Sequence, residues 1–208
     1  MKRNSNTKEK EINDRIMEEA IKLNKKGLTV TSVLLKEIEN KKVMQEFSRS
    51  LYDITSSNCL STLKTNHNCL AIFAGKKSSI VVIDIDKTNE ENIMDGCKYW
   101  NDLIKKYGDI DTWKAKTGNE GYHYYFLYDD RTKNLKHRTT INGIKYSIDV
   151  KKDGIIYCPP TQYLSNDKLK KYEWINSPHD KELAKMPDWL FDILSGKENV
   201  ISTQNLIG

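Results

Sequence analysis

The chain has 208 residues, with 34 Lys and Arg against 29 Asp and Glu and a formal charge of +5. At roughly 100–200 residues per domain, that is enough for one domain with a real core or two small ones. Hydrophobic residues at 38% and charged residues at 30% make a polar chain that can still fold. The longest apolar run, residues 69–74, falls far short of the ~20 needed to cross a bilayer. Met1, Lys2 and Arg3 lead into polar residues and not into an apolar secretory stretch, so an intracellular, cytoplasmic protein without a membrane partner is expected.

Residues 1–8 are polar and read as a disordered tail. Over 9–26, Ile12, Ile16, Ala20 and Leu23 recur at helical spacing and Gly27 supplies a stop. A second helix is expected over 32–42, and this N-terminal helical portion, about 9–50, reads as integral to one domain spanning 9–195. Residues 69–74 read as a strand, 75–77 as a turn and 79–86 as a second strand. A helix follows over 93–107, ended by Gly108, then strands over 112–116, 122–128, 144–150 and 155–158. Pro159 and Pro160 stop the last of these, and Pro187 opens a short helix to Leu194. Residues 196–208 form a polar tail. Helices mixed with hairpin-like strands make an α+β fold with a mixed or antiparallel sheet.

The cysteines, at 59, 69, 97 and 158, form no CxxC pair, and a chain of this length does not need disulfides. Cys59, His67 and Cys69 are near enough in sequence for part of a zinc site, but a fourth ligand at finger-like spacing is missing. Small buried thiols and a surface histidine are therefore expected, and zinc is not.

The apolar run of residues 80–83 indicates a strand buried on both faces, and it ends in Asp84-Ile85-Asp86. Alternation makes Asp84 and Asp86 point the same way. Two carboxylates side by side at the end of a buried strand need a compensating cation, and Mg²⁺ or Mn²⁺ suits such oxygen ligands; the alternative is a strand ending in a solvated polar turn. By the same parity Asp149 lies on the polar face of its strand with Ser147 and Lys145, and His123 faces away from the aromatics of 122–128. Were the three strands neighbours, one face would gather Asp84, Asp86, Asp149 and His123. The turn before His123 holds Lys116, Thr117, Gly118 and Gly121, whose N–H groups can form an anion-binding concavity. Seven Lys and Arg lie between 131 and 152, either along a phosphate backbone or as a solvated basic hairpin.

In this order, the motifs resemble the bifunctional DNA primase–polymerase domain of the archaeo-eukaryotic primase superfamily. That family is marked by an hhDhD strand, a (T/S)G-x-x-G-x-H strand and a later hD strand, where h is hydrophobic. They stand here as Val82-Ile83-Asp84-Ile85-Asp86, as Thr117-Gly118-Asn119-Glu120-Gly121-Tyr122-His123, and as Ile148-Asp149. Pro159-Pro160-Thr161, Tyr172-Glu173-Trp174 and Pro187-Asp188-Trp189-Leu190 match further motifs, so the resemblance covers about 18–195. The Pro-rich stretch common after the family's first turn is missing, and the position often Arg after the third motif is Lys151.

The resemblance implies a primase-like catalytic core related to the RRM fold, with helices flanking its sheet, beside a smaller N-terminal α/β unit. It implies a template-dependent nucleotidyltransferase that makes primers or extends DNA. Asp84, Asp86 and Asp149 would be catalytic and hold two divalent ions, Mg²⁺ or Mn²⁺. His123, Lys116, Thr117 and Gly118 would bind the nucleotide; from its place beside Asp149, Lys151 is expected to join them, and from the basic stretch itself Arg131, Lys133, Lys136 and Arg138 are expected to bind the template. The partners implied are single-stranded DNA, a dNTP or NTP, and a helicase domain or subunit beyond 196–208; the place is the cytoplasm or a viral replication site. Two other readings are a non-catalytic RRM-like module that stacks single-stranded bases on the aromatic strand, and a metal-dependent nuclease.

Overall fold

The computed structural model describes residues 2–38, 41–45, 53–141 and 143–197. Helix α1 runs over Lys2–Lys25. Strands β1 (Val30–Val33), β2 (Leu35–Ile38) and β3 (Lys41–Met44) follow, then β4 (Cys69–Phe73) and β5 (Ile80–Ile85). After α2 (Gly96–Tyr107) come β6 (Lys114–Lys116), β7 (Tyr122–Leu127), β8 (Arg138–Ile141) and β9 (Ile144–Lys151). The chain continues through β10 (Ile155–Cys158), β11 (Gln162–Ser165), β12 (Lys168–Lys171), β13 (Glu173–Asn176) and α3 (Asp188–Ser195).

The main sheet has six strands in the order β13-β6-β7-β5-β9-β8; a second sheet has the order β1-β4-β10, and β2-β3 and β11-β12 form two-stranded ribbons. Every pairing within these sheets and ribbons is antiparallel. Strand β5 is central, and its first four residues are buried on both faces, as a continuous apolar run requires. Ile80 and Val82 pack with Ala115, Tyr125, α1 and the three-stranded sheet. Val81, Ile83 and Ile85 pack on the other face with Tyr124, Phe126, α2 and α3. Removing each such side chain from water stabilises the fold by roughly 1.5–3 kcal/mol, so β5 is held in a register that slippage would reverse.

Helix α1 buries Ile12, Ile16, Ala20 and Leu23, the stripe expected from spacing. It ends at Gly27, whose φ of 86° suits a left-handed cap and whose N–H donates to the Asn24 carbonyl. The helix reaches back to Lys2, into the segment read as a disordered tail. The expected helix over 32–42 is a correction: that stretch is the end of β1 followed by the β2-β3 ribbon. Val30-Thr31-Ser32-Val33 pairs with β4 through Val30↔Ile72 and Val33↔Cys69, and this long-range pairing overrides a weak local helical pattern. Strands β8, β11, β12 and β13 were not anticipated. Residues 39–40 and 46–50 of the expected N-terminal portion, and 198–208 of the expected tail, lie outside the described residues. No helix among the described residues is long and apolar enough to cross a membrane.

Helix α2 begins at Gly96, three residues later than its apolar pattern suggests, because Asp95 caps it by accepting from the Lys98 N–H at 2.8 Å. Its first turn is bolted to the end of β5. The Gly96 N–H donates to the Asp86 carbonyl at 3.1 Å and to Ser147 Oγ at 2.8 Å, while Ser147 Oγ donates to the same Asp86 carbonyl at 2.6 Å. A Cβ on Gly96 would lie 2.3 Å from the Ser147 carbonyl oxygen and 2.9 Å from that of Asp86. We therefore expect Gly96→Ala to destabilise the protein by about 2 kcal/mol or more in urea unfolding. Lys98→Ala, at an exposed position on the same helix, should stay within about 0.5 kcal/mol.

Candidate active site

Strand register assembles the site. In the central strands Asp84 stands opposite His123 of β7 on one side and opposite Asp149 of β9 on the other. Side chains paired across strands point to the same face, so three of the expected residues meet in one row. His123 is 2% exposed, and its Nε2 lies 3.1 Å from Asp84 Oδ1; an ionised carboxylate only accepts, so Nε2 carries the proton. Lys151, two residues along β9, returns to the same row: its Nζ donates to Asp149 Oδ2 at 2.7 Å and lies 3.6 Å from Asp84 Oδ2. Arg138 of β8 pairs with Asp149 in register, and its Nε is 4.0 Å from Asp149 Oδ1. The row across four strands thus alternates donor and carboxylate.

Asp86 follows the end of β5, where its N–H donates to the Ser147 carbonyl and extends the pairing with β9. Beyond it a cleft of about 310 Å³ opens, lined among others by Asp86, Asn119, Arg138, Lys145, Ser147 and Asp149. Recesses of about 510 and 810 Å³ lie elsewhere, but the 310 Å³ cleft borders Asp149 of the row and Asp86 at the end of the strand. Its position between sheet end and helix start is set by the α2 anchor described above.

The turn ahead of His123 closes on itself. Thr117 is buried; its N–H donates to the Gly121 carbonyl, and its Oγ1 accepts from the Gly121 N–H at 3.1 Å. The hydroxyl oxygen therefore shapes the turn by accepting from it. A Cβ on Gly121 would lie 2.3 Å from the Ile85 carbonyl and 3.3 Å from Asp86 Oδ1, so the turn rests directly on the aspartate strand. A Cβ on Gly118 would meet Lys170 Cβ at 3.0 Å and Tyr163 Oη at 3.2 Å. Lys116 pairs with Tyr122, which places it on the opposite face of the sheet from His123. It is not brought to the row.

Behind the row is a tyrosine shell that the sequence did not announce. The His123 ring lies 5.7 Å from that of Tyr172 and 6.2 Å from that of Tyr125. His123 Nδ1, Tyr125 Oη and Tyr163 Oη are all buried without a hydrogen-bond partner among the described residues. Burial pushes the Tyr163 phenol up to about 12 and the Tyr125 phenol well above its ordinary range, so both stay neutral. The 3.6-to-2 change of period marks strands, but it cannot say that Tyr172, from the loop after β12, folds back against His123 of β7.

Three expectations change here. The aromatic face of β7 is no stacking platform: Tyr124 and Phe126 are buried under α2 and α3, with the Tyr124 ring 4.8 Å from that of Trp100. His67 is buried and not at the surface, its Nδ1 2.9 Å from Ser32 Oγ. The basic segment is divided. Arg131 Nη1 donates to Asp188 and Nη2 to the Met186 carbonyl, tying the loop after β7 to the start of α3, and Lys133 pairs with Asp130. Lys136 is exposed, and of the four only Arg138 reaches the cleft.

The donor set at the row is hard, made of carboxylate oxygens, and an ammonium already stands between two of them where positive charge is required. These residues fit a divalent cation. Among the described residues no three His, Cys, Asp or Glu side chains come together to hold a metal, so an ion here would draw on one or two carboxylates.

A family model described as bifunctional DNA primase/polymerase, N-terminal, matches residues 39–189. No curated protein matches the chain. From the division of the basic segment, Arg131→Ala should lower the melting temperature by a few degrees through loss of the α3 tether, while Lys136→Ala leaves it unchanged. Thermal unfolding followed by circular dichroism checks both.

Proposed function

This chain belongs to the bifunctional DNA primase/polymerase family, and from that premise we propose that it is a template-dependent nucleotidyltransferase acting through the row His123–Asp84–Lys151–Asp149. The observation that carries the reading is the register that sets two carboxylates side by side beside a buried histidine. On this reading the six-stranded sheet with α2 and α3 is the RRM-related catalytic core, and α1 with the three-stranded sheet is the smaller unit. A helicase domain or subunit acting with it belongs to the same proposal.

In this mechanism Asp84, Asp86 and Asp149 would hold divalent ions, Mg²⁺ or Mn²⁺, two of them in a two-metal scheme. Bound ions of this kind make a primer 3′-hydroxyl more acidic and offset charge on the departing pyrophosphate. The chain's own residues do the positioning. His123, fixed by Asp84 through Nε2, keeps a rigid ring against the tyrosine shell and orients the nucleotide. Lys151 supplies an ammonium for triphosphate oxygens. Thr117 and Gly118 act through the shape of their turn, and Lys116 drops out of the nucleotide contacts. Of Arg131, Lys133, Lys136 and Arg138, only Arg138 is retained as a template or phosphate contact, because it lines the cleft.

The binding-only reading loses its support with the burial of the aromatic face, so one assay suffices: incorporation of a labelled dNTP on a primed template with Mn²⁺. Asp84→Asn and Asp149→Asn should each lower incorporation at least about a thousandfold with the fold intact. Full activity in a folded Asp84→Asn variant overturns the assignment. His123→Ala should raise the KM for the incoming nucleotide about tenfold or more and leave single-stranded DNA affinity unchanged, as measured by fluorescence anisotropy.

A further inference from the structure

Lys151 stands where a cation is needed. Register forces Asp84 and Asp149 together, and at such a separation two ionised carboxylates repel each other. The Lys151 ammonium relieves this from 2.7 Å at Asp149 and 3.6 Å at Asp84, with its side chain only 29% exposed. With His123 on Asp84 Oδ1 and Lys151 on Oδ2, both oxygens of Asp84 are engaged, and Asp149 Oδ2 is engaged as well. An incoming cation would therefore meet oxygens already neutralised by the chain itself.

We propose that Lys151 is a resident counter-ion that a divalent cation displaces from Asp84 and Asp149. The freed ammonium, on a flexible four-carbon stem, then pairs with an anion entering the cleft. That this anion is a nucleoside triphosphate rests on the function proposed above; the displacement itself does not. The exchange makes no covalent bond: one cation replaces another at the carboxylates. It also couples two ligands. A triphosphate gives the displaced ammonium a new partner, so each ligand tightens the other, as linkage requires. Without nucleotide the lysine keeps metal affinity low, and ion and nucleotide load together.

The test is Mn²⁺ binding to the full chain, read from the electron paramagnetic resonance signal of free Mn²⁺, with and without a triphosphate carrying a non-hydrolysable α,β link. Lys151→Met should bind Mn²⁺ at least about tenfold more tightly than wild type without nucleotide, and should lose the further tightening that nucleotide brings. Lys151→Arg should restore both wild-type behaviours. Unchanged or weaker Mn²⁺ binding by Lys151→Met overturns the proposal. A crystal of the wild-type protein with Mn²⁺ decides the matter without any variant. An anomalous peak at Asp84 and Asp149 with Nζ beyond 4 Å (about hydrogen-bond and ion-pair reach) supports it; a peak with Nζ still on Asp149, or no peak, overturns it. Should Lys151→Met bind Mn²⁺ more tightly while the wild type extends no primer, the counter-ion role stands and the proposed function fails.

Discussion

The pairing of β5 with β7 on one side and β9 on the other is the constraint on which the rest depends. The strand is apolar on both faces over Ile80–Ile83, and the two cores it joins are built from its alternating side chains. Moving β5 by one residue would exchange those faces, expose Val82 or Ile83 to the wrong neighbours and turn Asp84 into the α2–α3 core. The stability of the sheet and the geometry of the site are thus one fact. The burial energy that fixes the register also forces Asp84 and Asp149 together against their mutual repulsion.

That repulsion explains the local chemistry. A site held together by apolar packing on its flanks can tolerate like charges only where opposite charge is at hand. Lys151 and Arg138 supply it from β9 and β8, and His123 contributes a donor from β7. The turn over Thr117–Gly121 and the first turn of α2 close the end of the strand. Both need glycine there, because Gly96 and Gly121 meet backbone carbonyls at distances no Cβ can occupy. The tyrosine shell covers the inner side of His123, whose polar partner among the described residues is Asp84, and this fixes the ring's orientation.

Much of this was legible in the chain before folding. Residues 80–86 announce a doubly buried strand ending in paired carboxylates, and parity alone turns His123 away from Tyr124 and Phe126 and sets Asp149 across from Asp84's face, as observed. The segments β4, β7, β9 and β10 were found within a residue or two, since apolar runs and alternation reflect burial that the strands do experience. Where the chain misled, the cause was a non-local partner. Residues 32–33, 35–38 and 41–42 form strands because β4 pairs with β1 and because β2 and β3 pair with each other. The basic segment from Arg131 splits because Asp130 and Asp188 claim two of its cations.

What the sequence alone determined is periodicity: which side chains share a face, where strands stop at glycine or proline, and which carboxylates must travel together. Those follow from backbone geometry and hold whatever the neighbours are. Tertiary structure decided which faces meet. Strand order set Asp84 between His123 and Asp149, register brought Lys151 back to the same two carboxylates, and the opposite parity of β6 carried Lys116 away. Tyr172 reaches His123 from the loop after β12, 49 residues further along the chain. Contacts of that range depend on how apolar surfaces pack in three dimensions, and a one-dimensional pattern carries no term for it.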